Sequence, residues 1–478
     1  MSGLFDRATV RTATAALVES TGGIEWMTDS RVERLSQDFY WFSPVLKTLL
    51  DGKVADAVAR PKNEDEIRTV VAACARAGMP LTVRGSGTGN YGQCVPLYGG
   101  VLLDLSAYNQ LLWVKEGAAR AQAGMRLIDI DRAAQPQGWE LRCVPSTFRS
   151  ASIGGLYGGG FGGIGSINYG PLVCAGNVLG VRAMTMEAEP RVLELRAPQA
   201  LLLHHTYGTN GVVLEVEAAL APAHPWLETI VCFESFDAAL DFGDTLANAP
   251  GIVKKSVTVI AAPIPAVLMQ ASPWLAGAMP AAAHAVLVLV AEFSEAGMQE
   301  LAARMQGTLT FRKSAAEVKK SNRTLAEYTW NHTTLHALKV DKTFTYIQSN
   351  FVAGRHVEQA RKMYQLLGDE VPVHLEFIRN RDGQMTCSGL QLVRYSTEAR
   401  LNQIMQLHRD HGVHINNPHV YVVEDGKQGQ VNPDVVASKL RFDPQGLLNP
   451  GKLRGWGERE RIMADAAAGR IALTPLPF

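Results

Sequence analysis

The stretch "VRGSGTGNYG", Val83 to Gly92, sets four glycines among ten residues, between the apolar runs "MPLTV" and "VLLDL". A Cβ holds backbone away from a ligand, so a loop this bare suits main-chain N–H groups that must reach a phosphate. Gly85, Gly87 and Gly89 or Gly92 come close to GxGxxG. The order of elements is not that of a Rossmann unit, however, because a strand rather than a helix follows the loop. Taken alone, the loop reads equally well as a tight connection between strands.

Working outward, "PKNEDEIRTVVAACARAGM" predicts a helix, with Pro61 near its start, acids in its first turn, and Ile67, Val70, Val71 and Cys74 on one face. "PLTVRG" and "GGVLLDLS" predict buried strands on either side of the glycine loop. The first forty or so residues read as an irregular prologue. Further on, Ser146 and Thr147, then "SIGGLYGGGFGGIGSINYG" from Ser152 to Gly170, make a second backbone-exposing surface. Two such surfaces suggest a long, flat, phosphate-bearing ligand lying against both. From about residue 223 to 400 glycine thins out. Strand patterns ("AVLVLVAEF", "KTFTYIQSNF", "GLQLVRYS") there alternate with helix patterns ("SEAGMQELAARMQ", "HVEQARKMYQLLG"), which predicts an α+β sheet layer with helices on one face.

The 478 residues can bury a sizeable core, and 46 Lys plus Arg balance 46 Asp plus Glu. Charge therefore gives no footprint for nucleic acid. The six cysteines stand singly, with no CxxC pair, as reduced thiols of a cytoplasmic protein would. No signal-length apolar core is expected at the N-terminus, and "AAAHAVLVLVAEF" is too short and too polar to span a bilayer.

Four motifs in order resemble the flavoprotein family of vanillyl-alcohol oxidase and p-cresol methylhydroxylase. They are the loop Arg84 to Gly92, the "PST" then "ASIGG" block from Pro145 to Gly155 with its following "YGPLVCAGNVLGV", the segment "TNGVVLEVEAAL", and the tail "FDPQGLLNPGKL". The resemblance implies an α+β protein: a PCMH-type FAD-binding domain of two α/β subdomains, then a substrate or cap domain with an antiparallel sheet and flanking helices. The expected boundaries are an N-terminal extension at 1–50, the FAD-binding domain at 51–222, the cap domain at 223–430, and a C-terminal segment at 431–478 that returns to the flavin. The resemblance assigns the pyrophosphate to Arg84, Gly85, Ser86, Gly87, Thr88, Gly89 and Asn90. It assigns the flavin and ribityl chain to Pro145, Ser146, Ser152, Gly154, Gly155 and Gly163, the adenine side to Gly211 and Val212, and the isoalloxazine edge to Asn449 and Lys452.

Relatives that attach FAD through a histidine in the first loop have it about where Thr88 stands, and those that use a cysteine have it where Phe148 stands. Non-covalent FAD is expected, with Cys143 as the alternative anchor. The D-lactate dehydrogenase and glycolate oxidase-like branch is the nearest, but its cap motif HxxGDGNxH is missing. His374 in "VPVHLEFIRNRDGQM" holds a comparable place, and Asp410, His411 and Gly412 look like its "EHG". His408, His411, His414 and His419 could serve zinc, one flavin-side imidazole, or the core. No metal site is expected, because Gly412 and Pro418 break a common helix face.

His411 is the expected base for a substrate hydroxyl, with Tyr346 and His374 as alternatives and Arg394 as the carboxylate partner. His332 and His336, beside Tyr328 and Trp330, suit either a cap over a flat substrate or the cap core. The expected reaction is hydride transfer from a CH–OH carbon, of a hydroxy acid first, to FAD. A phenolic or aromatic alcohol, or a flavin-binding subunit with a degenerate site, is the alternative. Oxygen or a redox carrier would take the electrons, and a homodimer is compatible with the reading.

Overall fold

The computed structural model describes residues 5–476, so the outermost ends of the two expected terminal segments lie outside the described residues. The glycine loop grows from a four-stranded sheet ordered Glu25–Met27, Ala57–Arg60, Val101–Asp104, Leu81–Arg84, the last three parallel. The predicted helix runs from Glu64 to Arg76. Asn63 caps its first turn, and Ile67, Val70, Val71 and Cys74 are fully buried against that sheet. The tail adds to the sheet's edge beyond Leu81–Arg84: Leu81 donates to Leu447 O at 2.9 Å, and Asn449 donates back to Leu81 O at 2.8 Å.

A second, antiparallel sheet is ordered Leu111–Lys115, Ala118–Gln122, Val212–Pro222, Val178–Met184, Val192–Arg196. Trp139–Leu141 pairs with the far end of its central strand. The third is an antiparallel sheet of eight strands, in the order Thr308–Lys313, Trp226–Phe233, His284–Ala291, Lys254–Ile260, His374–Arg379, Met385–Gly389, Gln348–Asn350, His414–Asn416.

Two expectations need correction. The prologue is not irregular: Arg7–Ser20 is a helix, capped by Asp6 and buried along Val10, Thr14 and Leu17, and three threonines had masked its period. Nor do helices cover only one face of the large sheet. Val286, Val288 and Val290 pack on the helices Phe236–Asn248 and His356–Leu367. Ala285 and Leu287 face the other way, onto Ile264–Ala271 and Asn331–Val340. Burial on both faces is why this strand reads as an unbroken apolar run.

Candidate cofactor and active site

A cavity of about 620 Å³ runs from the first glycine loop, past the second glycine cluster, to the cap side of the large sheet. The loop Gly85 to Asn90 forms one wall, at the carboxyl end of the parallel strand Leu81–Arg84. Arg84 is not part of that wall. Its guanidinium folds back under the loop, donating to Gln37 O at 2.6 Å and to Cys94 Sγ at 3.3 Å. Gly87, at φ +64°, closes over it so tightly that a Cβ would lie 2.0 Å from an Arg84 nitrogen. The arginine shapes the loop from within.

The second wall begins at Pro145 and Ser146 and continues along the helix Ile153–Gly159, capped by Ser152 Oγ on Gly155 N–H at 3.3 Å. Gly154 lets this helix lie against the second sheet, where a Cβ would meet Ala123 at 2.6 Å. Gly154 and Gly155 line the cavity; Gly163 does not, since its missing Cβ makes room for Val144 O instead. Gly211 lines it at φ +81°, but Val212 is buried in the ladder opposite Met184, and Val213 takes the wall position. A one-residue shift along a strand changes the face.

Asn449 and Lys452 also sit behind the wall rather than in it. Asn449 Nδ2 donates to Gln93 O and to Tyr207 O, both at 2.7 Å, which ties the tail to the first loop and to the segment before Gly211. Lys452, wholly buried, donates to Gly92 O at 2.6 Å. Burial lowers its affinity for a proton, against the attraction of Asp38, and burial raises that of Asp38.

FAD can be tested against this cavity on its own atoms. Among the described residues, no protein acceptor takes the backbone N–H of Ser86, Gly87, Thr88, Gly89 or Asn90, and the buried Asn90 Nδ2 also lacks a partner. Backbone N–H groups are rarely left unpaired in folded proteins, so a run of them on a cavity wall is a seat for an anion. A Cβ on Gly158, which also lines the cavity, would meet no protein atom within 4 Å. These features fit a diphosphate with a flat, extended group lying along the second glycine cluster.

None of the four residues expected to carry the chemistry lines the cavity. His411 caps the helix Glu398–Asp410 and holds Leu407 O at 2.9 Å, away from the site. Arg394 is exposed, engaged with Asp369 O and Asp341. Tyr346 is fully buried behind Tyr91, paired with Leu392. His374 is one layer back: its Nε2 lies 2.8 Å from Glu376, whose same oxygen accepts Trp330 N–H at 2.7 Å. Trp330, at φ +52°, is the residue that reaches the cavity. The histidine cluster is also dispersed, with His408 and His419 in the core and His414 exposed. Among the described residues no group of metal-ligating side chains gathers.

The side chains that do face the cap end are Asp38, Tyr91, Trp330, Asn331, His332 and Gln348, with His204, His205, Arg381 and Lys427 nearer the glycine-rich helix. Burial lowers the pKa of His332 to about 4, so it is a neutral imidazole at neutral pH. His336, its partner one turn on, stacks on Tyr328 instead, 4.2 Å between ring centroids. Sequence reasoning had named His332 but passed over His204, His205, Arg381 and Lys427. For Lys427 a signal existed: "EDGK" at 424–427 carries the same acid–X–Gly pattern as the chosen "DHG", and it is this run whose Gly426 and Lys427 line the cavity.

Residues 55–194 match the family described as FAD binding domain. The glycolate oxidase subunit GlcD of Escherichia coli K12 is 32% identical over 201 residues, 40% of this chain and 40% of that protein's length. The subunit of the same name from Bacillus subtilis is 24% identical over 438 residues, 86% of this chain and 91% of that one. A solved structure of alkyldihydroxyacetonephosphate synthase superposes with a TM-score of 0.68 at 13% identity, over 94% of this chain and 85% of that one, which shows a shared fold. The glycine-walled cavity takes its first loop and second glycine cluster from the segment that matches the FAD binding domain and continues beyond it into the cap side of the large sheet.

Proposed function

We propose that this protein is an FAD-dependent oxidoreductase that oxidises the CH–OH carbon of a small organic substrate, a hydroxy acid in the first instance. The observation that carries the reading is the row of acceptor-less N–H groups from Ser86 to Asn90 on the wall of a cavity that extends to a histidine and aromatic wall in the cap. Bound there, FAD supplies a two-electron hydride acceptor.

The chain's own residues do the rest. The N–H row holds the pyrophosphate, and Gly154, Gly155 and Gly158 let the flat ring system approach the helix backbone. Trp330, fixed by Glu376, walls the reacting end and excludes water. His332, neutral and facing the cavity, accepts the substrate hydroxyl proton. The flavin is held without a covalent link. Cys143 Sγ lies off the cavity, 3.4 Å from Ser166 Oγ, and Cys94, which does line it, is a thiol that burial pushes up to about 11.

In this reading residues 51–222 are the cofactor-binding domain, 223–430 the cap and 431–478 the segment that closes on the flavin, behind an N-terminal extension at 1–50. The protein works in the cytoplasm with its thiols reduced, and electrons leave to oxygen or to a redox carrier. Among the described residues no helix is long and apolar enough to cross a membrane. The aromatic lining of Phe39, Phe42, Tyr91 and Trp330 favours a second reading, oxidation of a phenolic or aromatic alcohol.

The test is an absorption spectrum before and after acid precipitation, followed by anaerobic reduction. Yellow colour released to the supernatant supports the cofactor assignment; a colourless protein rejects it, and colour kept in the pellet rejects the non-covalent link. His332→Gln should leave flavin content unchanged and slow reduction by about 10²- to 10⁴-fold. Reduction at the parent rate would remove His332 from the mechanism.

A further inference from the structure

On the cavity lining, nearer the glycine-rich helix than the cap end, stand two cations, Arg381 and Lys427. Arg381 sits in the hairpin turn after His374–Arg379, and Lys427 in the short turn Asp425–Lys427. Among the described residues neither has a carboxylate within ion-pair distance. Neighbouring acids are otherwise engaged. Glu424 accepts the N–H groups of Arg454 and Gly455, both at 2.9 Å, and Asp425 pairs with Arg454.

The turn carrying Arg381 is braced, because Asn380 Oδ1 accepts the N–H groups of Asp382 at 3.0 Å and Gln384 at 2.9 Å. The two cations lie near each other and near His204, which faces the same cavity and which they help to keep unprotonated. His204 is 8% exposed and its Nε2 has no partner; His205, its neighbour, leaves Nδ1 buried and unpartnered. Two unpaired cations beside two imidazole nitrogens that lack hydrogen bonds form an incomplete site, and an oxyanion completes it. The flavin pyrophosphate already has its seat at Ser86 to Asn90, on the first loop.

We propose that Arg381 and Lys427, with His204 and His205, form an oxyanion subsite that takes the anionic group of the substrate. This rests on the cofactor reading above and deepens it, because the subsite selects an anionic hydroxy acid over a neutral phenolic alcohol. Arg381 offers a planar fork that a carboxylate fills bidentately, and Lys427 offers a point charge beside it. Both side chains reach solvent, so both can be replaced without opening the core.

The experiment uses the flavin-loaded protein and two probes, oxalate and inorganic phosphate, followed by calorimetry and by the shift of the flavin absorption band. The expected result is saturable binding of oxalate, weakened on the order of tenfold by Arg381→Gln or by Lys427→Gln and more by both, with flavin content unchanged. Phosphate binding tighter than oxalate with the same dependence on the two residues would keep the subsite and identify a phosphorylated substrate. Equal affinity in parent and double variant, or no binding of either anion, overturns the subsite while the yellow parent keeps the cofactor reading. Loss of flavin from the double variant overturns it differently, by assigning these cations to the cofactor phosphates. A colourless parent protein fails the cofactor reading itself, and the subsite falls with it.

Discussion

A side chain at Gly158 would project into the cavity and touch no protein atom, so this position separates folding from cofactor binding. Valine has a better helix propensity than glycine, and φ there is not left-handed, so Gly158→Val should leave the melting temperature of the flavin-free protein close to the parent's. Its branches would overlap the ligand, and crowding of that kind costs about 1–3 kcal/mol, so flavin per chain should fall about tenfold or more. Undiminished flavin content would show that the cofactor lies elsewhere. The contrast with Gly163 is instructive at the same scale. Both belong to one glycine run, but Gly163 is spent on Val144 O and only the fold reveals the difference. Likewise a histidine's role depends on what it faces: the sequence favours His411 over His332 as the base, yet it is His332 that reaches the cavity.

Among the elements, the C-terminal segment from Asp443 to Lys452 acts as a strap. It extends the parallel sheet at Leu81, and Asn449, at φ +40°, reaches two carbonyls that belong to different glycine segments. The motif "LLNPGK" was legible as a tail that returns to the flavin domain, but its atoms hold the walls and do not enter the cavity. Asn449→Asp keeps the shape and turns a donor into an acceptor facing two carbonyl oxygens. We expect it to destabilise the protein by about 2–4 kcal/mol and to release flavin, measured by urea unfolding and by flavin content after gel filtration. A parent-like midpoint would show that the strap is not held through this side chain. The helix Ile153–Gly159 makes a related point, because four of its seven residues are glycines that line the cavity and their low helix propensity is offset by docking on the second sheet.

For the whole molecule, six histidines, four buried and two half-buried, set the acid limit. Burial lowers His204 and His336 to about 3, and His205, His332, His408 and His419 to about 4. Each is neutral in the fold but takes a proton in the unfolded chain below about 6.5, so each contributes stability that is lost as pH falls toward its folded value. Asp38 and Asp131 act in the opposite sense: burial raises both to about 6, so between pH 4 and 6 the fold binds their protons and the unfolded chain does not. The histidines outnumber them, so the unfolded chain binds more protons than the fold and stability falls as pH drops through that window. Urea midpoints should therefore drop steeply from pH 6 to pH 5; a flat profile would mean that these imidazoles are solvated.

By itself the sequence determined the two glycine surfaces, the helix Glu64–Arg76, the strands around the first loop and the motif order. Each of these depends on residues close together in the chain, through backbone freedom, capping or period. Only the tertiary structure decided which groups line one cavity. Asp38, Tyr91, His204, His332, Arg381 and Lys427 come from six separate segments, and their convergence on one cavity is set by how three sheets pack, which no local spacing records.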